Sequence, residues 1–208
     1  MSELKRIDTP SGRFYETPEG FLYPSVTTVL SSIPNPDLHK WRESIGEAEA
    51  DRISRLACTR GTQLHEYCEL YLRGTPPKLG IIERAAYRGL HPILDRVNPL
   101  HLEFQMYSNA LEIAGTMDCC GEIDGIPHII DWKTTSRLKH NGEFDSYWIQ
   151  TAFYSAMLYE RTGVYVPRLC IVMQDLSTGD TQIFYDTVKN WLPKAIQIRR
   201  DYRAINNR

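Results

Sequence analysis

The pair Asp124-Gly125 constrains this chain more than any other two residues. It lies between two apolar-rich runs, residues 111–123 and 126–133. Asp-Gly is a strong hairpin signal, because both central positions of the tight turn need φ > 0. A two-residue turn fixes the register of the strands attached to it. With Ile123 opposite Ile126, counting back sets Asp118 opposite Asp131 and Thr116 opposite Lys133. Directly opposed residues hold their Cβ atoms about 4.5 to 5.5 Å apart, and like charges there repel. Two carboxylates so placed call for a cation. The strand period of two puts Asp131 and Lys133 on one face and Trp132 on the other. An isolated Asp-x-Lys is ordinarily a solvated surface pattern. Here Ile129-Ile130 leads the strand into a core and Gly115 places a small residue near the facing acid, which favours a metal site.

The 208 residues suit a single domain large enough to bury a real core. The formal net charge of -2 gives no reason to expect a broad basic surface, although a local basic channel is compatible with it. Five cysteines, odd in number and without a C-x-x-C spacing, fit free thiols in a reducing compartment rather than a zinc or iron-sulfur site. No stretch approaches the ~20 apolar residues of a membrane span, and the first ten residues lack a signal-peptide core. The expectation is an intracellular soluble protein with no membrane partner.

Along the chain, residues 1–23 read as a short hairpin or extended arm, punctuated by Pro10, Gly12, Pro18 and Gly20. Ser25 can N-cap a short helix over 26–32. Asn35-Pro36 ends that unit, and residues 37–73 are helical in character, with Trp41, Ile45, Ile53, Leu56, Leu64 and Leu70 inward. Gly61 interrupts this stretch, so a helix is expected over 61–72, stopped by Gly74-Thr75-Pro76-Pro77. His65 and Glu69 share one face of it. A further helix over 80–97 is broken near Gly89 and Pro92. Alternation over 102–107 marks a strand with Glu103 and Gln105 on one face. After the hairpin come a polar connection carrying Arg137 and Lys139, a helix over 147–161 stopped by Gly163, and a doubly buried strand over 168–173. Its partner spans 181–185, and a terminal helix from 189 carries Trp191, Ala195 and Ile198 inward and Lys194, Arg199, Arg200 and Arg203 outward. Gln150 and Tyr154 sit one turn apart on the 147–161 helix. Together these elements predict an α/β fold: a mainly helical part over 1–100, a sheet-containing core over 101–185 and a C-terminal helix over 186–208.

Four motifs in order, Gly61-Thr62-x-x-His65, Gly115-Thr116-x-Asp118, Asp131-Trp132-Lys133 and Gln150-x-x-x-Tyr154, resemble the RecB-type exonuclease branch of the PD-(D/E)XK nucleases. The segment Tyr23-Pro24-Ser25-Val26-Thr27-Thr28 is similar to one near the start of that group's core, so the likeness runs from about residue 23 to 173. The resemblance implies a restriction-endonuclease-like core with a central mixed sheet flanked by helices. It also implies a divalent-metal-dependent deoxyribonuclease, an exonuclease preferring single-stranded ends, in recombination, repair or DNA degradation. A structure-specific endonuclease or a non-catalytic DNA-binding protein of the same fold are the alternatives, and the setting the resemblance implies is the cytoplasm of a bacterial or phage-infected cell, with a mitochondrial location less favoured.

By the same likeness Asp118 and Asp131 ligate metal, His65 and the Trp132 backbone carbonyl add ligands, Lys133 activates or positions water, and Gln150 and Tyr154 stand beside the site. Oxygen-rich coordination favours Mg²⁺ or Mn²⁺, one ion or two. Glu69 and Glu103 are further acids that could adjoin the site. Ser25, Thr27, Arg60, Arg137 and Lys139 are the candidate DNA contacts. Neither a helicase motif nor a G-x-x-x-x-G-K-[ST] loop is present, so no nucleotide cofactor is expected.

Overall fold

A computed structural model describes residues 4–137, 139–140 and 142–206. The chain opens with a three-stranded antiparallel sheet, β1 (Lys5–Thr9), β2 (Gly12–Glu16) and β3 (Leu22–Pro24). The expected arm is thus a hairpin with a third strand added, a strand component in a part read as mainly helical. Helices α1 (Val26–Ser31), α2 (Pro36–Ile45), α3 (Glu47–Leu72), α4 (Ile81–Tyr87) and α5 (His91–Leu94) follow. A mixed sheet comes next, in the order β4 (Val97–Ser108), β5 (Ile113–Ile123), β6 (Ile126–Thr135), β7 (Arg168–Asp175) and β8 (Thr181–Thr187). Within this sheet β6 and β7 pair in parallel, and the β4–β5, β5–β6 and β7–β8 pairs are antiparallel. Parallel neighbours need a long crossover, which α6 (Asp145–Thr162) supplies, and α7 (Val188–Asn206) closes the chain.

Both faces of the sheet are covered, which explains the unbroken apolar run in β7. Ile129, Ile171 and Met173 pack with Phe153, Ala152 and Ala195 beneath α6 and α7. Ile130, Trp132, Cys170 and Val172 pack with Leu64, Tyr67, Cys68, Leu90 and Ile93 beneath α3 and α5. All five cysteines are free thiols and four are buried. Among the described residues, no helix is long and apolar enough to cross a membrane.

Several local expectations meet their physical test here. Ser25 caps α1, accepting from the Thr28 amide at 3.0 Å. Asn35, read only as part of the pair that ends the first unit, also caps α2 by accepting from the Leu38 amide. Gly163 ends α6 in the left-handed region, φ 73°. Gly61 does not interrupt its helix: α3 runs through it for 26 residues. A glycine costs a helix interior only about 1 kcal/mol against alanine, too little to break a helix whose C-terminal half is packed on the sheet. Ile53 and Leu56, expected inward, are 36% and 41% exposed. Arg199, expected outward, is buried and donates both Nε and Nη2 to the Glu112 carbonyl.

Candidate metal centre

The hairpin holds its expected register from Ile123↔Ile126 as far as Cys119↔Ile130, and the ladder stops one pair short of the two acids. Beyond that point the Trp132 amide donates to Asp118 Oδ2 at 3.1 Å, so a carboxylate stands where a backbone acceptor would have been. Asp118 and Asp131 therefore do not face each other as an ordinary cross-strand pair.

A matched irregularity in β4 and β5 accounts for this. In a regular strand residues two apart share a face. In β5, however, Met117 packs on the α6 side and Cys119 on the α3 side. In β4, Leu102 packs on the α3 side and Phe104 on the α6 side. Both strands switch faces at one level, where Glu103 and Asp118 fall between the pairs Leu102↔Cys119 and Phe104↔Met117. Glu103 has φ 47°, the left-handed region that a non-glycine residue enters only at a cost. It therefore does not share a plain strand face with Gln105, whose side chain accepts from the Leu4 amide.

The consequence is a cluster. His65 from α3, Glu103 from β4 and Asp118 from β5 each offer one ligand atom, and these atoms lie within 4.8 Å of one another. His65 Nδ1 is 3.3 Å from Asp118 Oδ1. Next to them, Asp131 is 1% exposed. Its Oδ2 lies 2.7 Å from Lys133 Nζ, yet neither oxygen has a partner of ordinary hydrogen-bond geometry. A buried carboxylate left that way has unused ligand capacity. An extended residue points its N–H and C=O to the same side, so the Trp132 carbonyl shares the edge of β6 from which its amide reaches Asp118.

The electrostatics follow from burial and pairing. Burial opposes charge on His65, but the Asp118 carboxylate outweighs it and the imidazole is pushed up to about 9. Burial likewise opposes charge on Asp118, and His65 outweighs it, holding the carboxyl below its ordinary range. Asp131 moves upward because its burial exceeds the help from Lys133. Glu103 rises to about 7 through burial and the neighbouring Asp118 charge. Lys133 rises despite its burial, since Asp131 and Asp118 hold its charge. The acids are thus held by two cations, the Lys133 ammonium and the His65 imidazolium, and a divalent cation would take the place of the imidazole proton while relieving the crowding of the carboxylates.

The remaining candidates divide. Gln150 Nε2 donates to Tyr154 Oη at 3.3 Å, and both are buried beside the site. Gly115 is what lets them in: a Cβ there would stand 3.0 Å from Tyr154 Cε1. Glu69 pairs with Arg73 at 2.8 Å and is not a member of the ligand cluster. Ser25 is buried with its hydroxyl committed to the α1 cap, while Thr27 is exposed next to it. Arg137 pairs with Glu143, and Lys139 Nζ lies 4.0 Å from the same acid. Arg60 is exposed on α3. Two side chains beside the site were not singled out in the sequence for these roles. Tyr147 lies beneath Lys133, with Nζ 5.0 Å from its ring centre, and Tyr15 is 3.2 Å from the Thr116 hydroxyl. An aromatic at the start of a helix and a tyrosine in a remote hairpin carry no local signal of such contacts.

No family model matches the chain, and no curated protein matches it. Among solved structures it is similar to SSO0001, with 14% identity, 88% of this chain and 75% of that chain covered, and a TM-score of 0.43. So low a score carries no argument about function.

Proposed function

We propose that this chain is a divalent-metal-dependent DNA exonuclease of the RecB-type branch of the PD-(D/E)XK nucleases, with a restriction-endonuclease-like core and a preference for single-stranded ends. The observation that carries the reading is convergence: His65, Asp118, Asp131 and Lys133, from α3, β5 and β6, meet in one buried pocket with ion-pair distances of 3.3 and 2.7 Å. A surface hairpin would scatter these charges into solvent.

The donor set fits Mg²⁺ or Mn²⁺, because it offers carboxylates, one imidazole and a buried unpaired Asp131 oxygen. His65, Asp118 and Asp131, with the Trp132 carbonyl, would hold the ion, and Glu103 stands within reach of the first two. A bound divalent ion would supply charge neutralisation for a phosphodiester and acidify a water molecule.

The chain's own groups then have distinct tasks. Asp131 keeps Lys133 cationic and fixes its head within the pocket. That ammonium is placed to meet negative charge that grows on a phosphate during hydrolysis. The Tyr147 ring, below Nζ, limits where the lysine can swing. Gln150 and Tyr154 hold each other on the α6 side, and the Trp132 amide fixes the orientation of Asp118. Pre-set dipoles of this kind need little rearrangement during reaction.

The test is hydrolysis of linear single strands, linear duplexes and covalently closed circles with Mg²⁺ or Mn²⁺, comparing wild type with Asp131→Ala. Metal-dependent loss of linear single strands by wild type is expected, with a drop of at least ~100-fold in the variant. Equal activity in both proteins, or none in either, defeats the nuclease reading. Rapid cutting of closed circles defeats its exonuclease part.

A further inference from the structure

A separate groove of about 320 Å³ has Thr134, the chain neighbour of Lys133, in its lining and includes none of the proposed metal ligands. Its two walls have different chemistry. One wall is the N-terminal half of α3, presenting Ile53, Leu56, Ala57 and Arg60, a single helical stripe. The other is formed where β6 and β7 end, by Thr134, Thr135, Lys139 and Ser177 among others. Tyr147 joins the groove to the metal centre, because its ring lines the groove and also lies 5.0 Å from Lys133 Nζ.

Three features of the groove point to one occupant. Ile53 and Leu56 are large apolar side chains left 36% and 41% exposed over a concave surface, although burying each would be favourable. Arg60 has no acidic partner among the described residues, and Lys139 reaches the groove only 4.0 Å from Glu143. Asp175, an acid on the same lining, is buried and turned toward its own loop: its Oδ1 accepts from the Ser177 amide and hydroxyl at 2.8 and 2.6 Å, while its charge remains. Apolar faces for bases, cations for phosphates and hydroxyls between them form the surface an unpaired strand needs. A small apolar molecule would leave the cations unused, and a paired helix would hide its base faces from the stripe.

We propose that this groove seats the unpaired nucleotides adjoining the phosphate at the metal centre. Their bases lie against Ile53, Leu56 and Tyr147, and their phosphates meet Arg60 and Lys139. The proposal rests on the nuclease reading and deepens it, since it locates the preference for single strands in base faces that only an unpaired strand exposes. Recognition through faces rather than edges makes the grip tolerant of sequence.

The test is fluorescence anisotropy of labelled oligothymidylate, of the same oligomer with abasic sites, and of a blunt duplex, all in the Asp131→Ala background so that no probe is degraded. Replacing Ile53 and Leu56 together by asparagine, which adds no charge beside the phosphates, should weaken oligothymidylate binding by about tenfold or more. Binding of the abasic oligomer and of the duplex should change by less than about twofold. Arg60→Ala should weaken both single-stranded probes alike and lower the dependence of log affinity on log salt by about 0.7.

Both apolar positions are exposed, so the folded state should survive, and an Ile53→Ser, Leu56→Ser pair checks this with the same ordering of probes. Unchanged oligothymidylate binding, or equal weakening of strand and duplex, overturns the proposal. If wild type cleaves linear single strands while the groove variants bind them normally, the groove assignment alone fails. If wild type neither binds nor cleaves any of the DNAs, the nuclease reading fails with it.

Discussion

The two halves of α3 are built on one stripe and have opposite surroundings. From Leu64 onward the stripe continues through Tyr67, Cys68 and Tyr71 and packs against Trp132, Ile130 and Cys119 of the sheet. Before it, every residue from Asp51 to Arg60 is exposed, and the same apolar spacing, Ile53, Leu56 and Ala57, overhangs a groove. Helix α2, which precedes it, buries no residue. Its link to α3 includes Arg42, which is ion-paired with Glu47 and Asp51. Periodicity defines which side of a helix is apolar, but it says nothing about what covers that side. In this chain the covered half delivers His65 to the candidate metal centre and the uncovered half lines the groove proposed for an unpaired strand.

The comparison can be broken at four points. The largest effect on folding belongs to Leu64→Ala: its side chain is fully buried, and urea denaturation should show a loss of about 2–5 kcal/mol. A loss below about 1 kcal/mol would mean that the C-terminal half is not the anchor. Next comes His65→Ala, on the same half. Metal-dependent cleavage should fall by at least ~100-fold, with weaker Mn²⁺ binding in calorimetry. Normal Mn²⁺ binding would remove His65 from the ligand set.

The smaller effects test the boundary and the free half. Gly61 sits between the halves and an added Cβ would meet nothing within 4 Å, so Gly61→Ala should raise thermal stability by about 0.5–1 kcal/mol. If stability rises but cleavage falls, the glycine serves as a bend between the halves during turnover. Leu56→Ala should change stability by no more than about 0.5 kcal/mol, in contrast to Leu64. A larger loss would show that the free half is packed in solution and would close the groove.

Much of the local structure could be read because its causes are local. Asp124-Gly125 makes the turn as expected, with φ 52° and 78° at its two residues. Ser25 and Gly163 cap their helices for reasons contained within a few residues. The candidate site was legible to the same extent: His65, Asp118, Asp131 and Lys133 were named from spacing and resemblance, and the fold brings them together. Glu103 was only a secondary candidate. A glutamate at positive φ runs against its own preference, so nothing in a strand-like run such as Leu102 to Tyr107 reveals it. Glu69 had the right spacing from His65, but it lies within reach of Arg73, which takes it.

Turn chemistry, caps and periodicity act over a few residues, so the sequence alone settled the hairpin register near its turn, the α1 cap and the core of most helices and strands, although not the start of α3 or of β4. The tertiary structure alone decided which acids share a pocket and which half of α3 is covered. Both depend on long-range packing: β4 and β5 change faces together at Glu103 and Asp118, and the sheet reaches only as far along α3 as Leu64 and its neighbours. A pattern of residue types records the need for a partner surface, and only the folded chain shows where that surface ends.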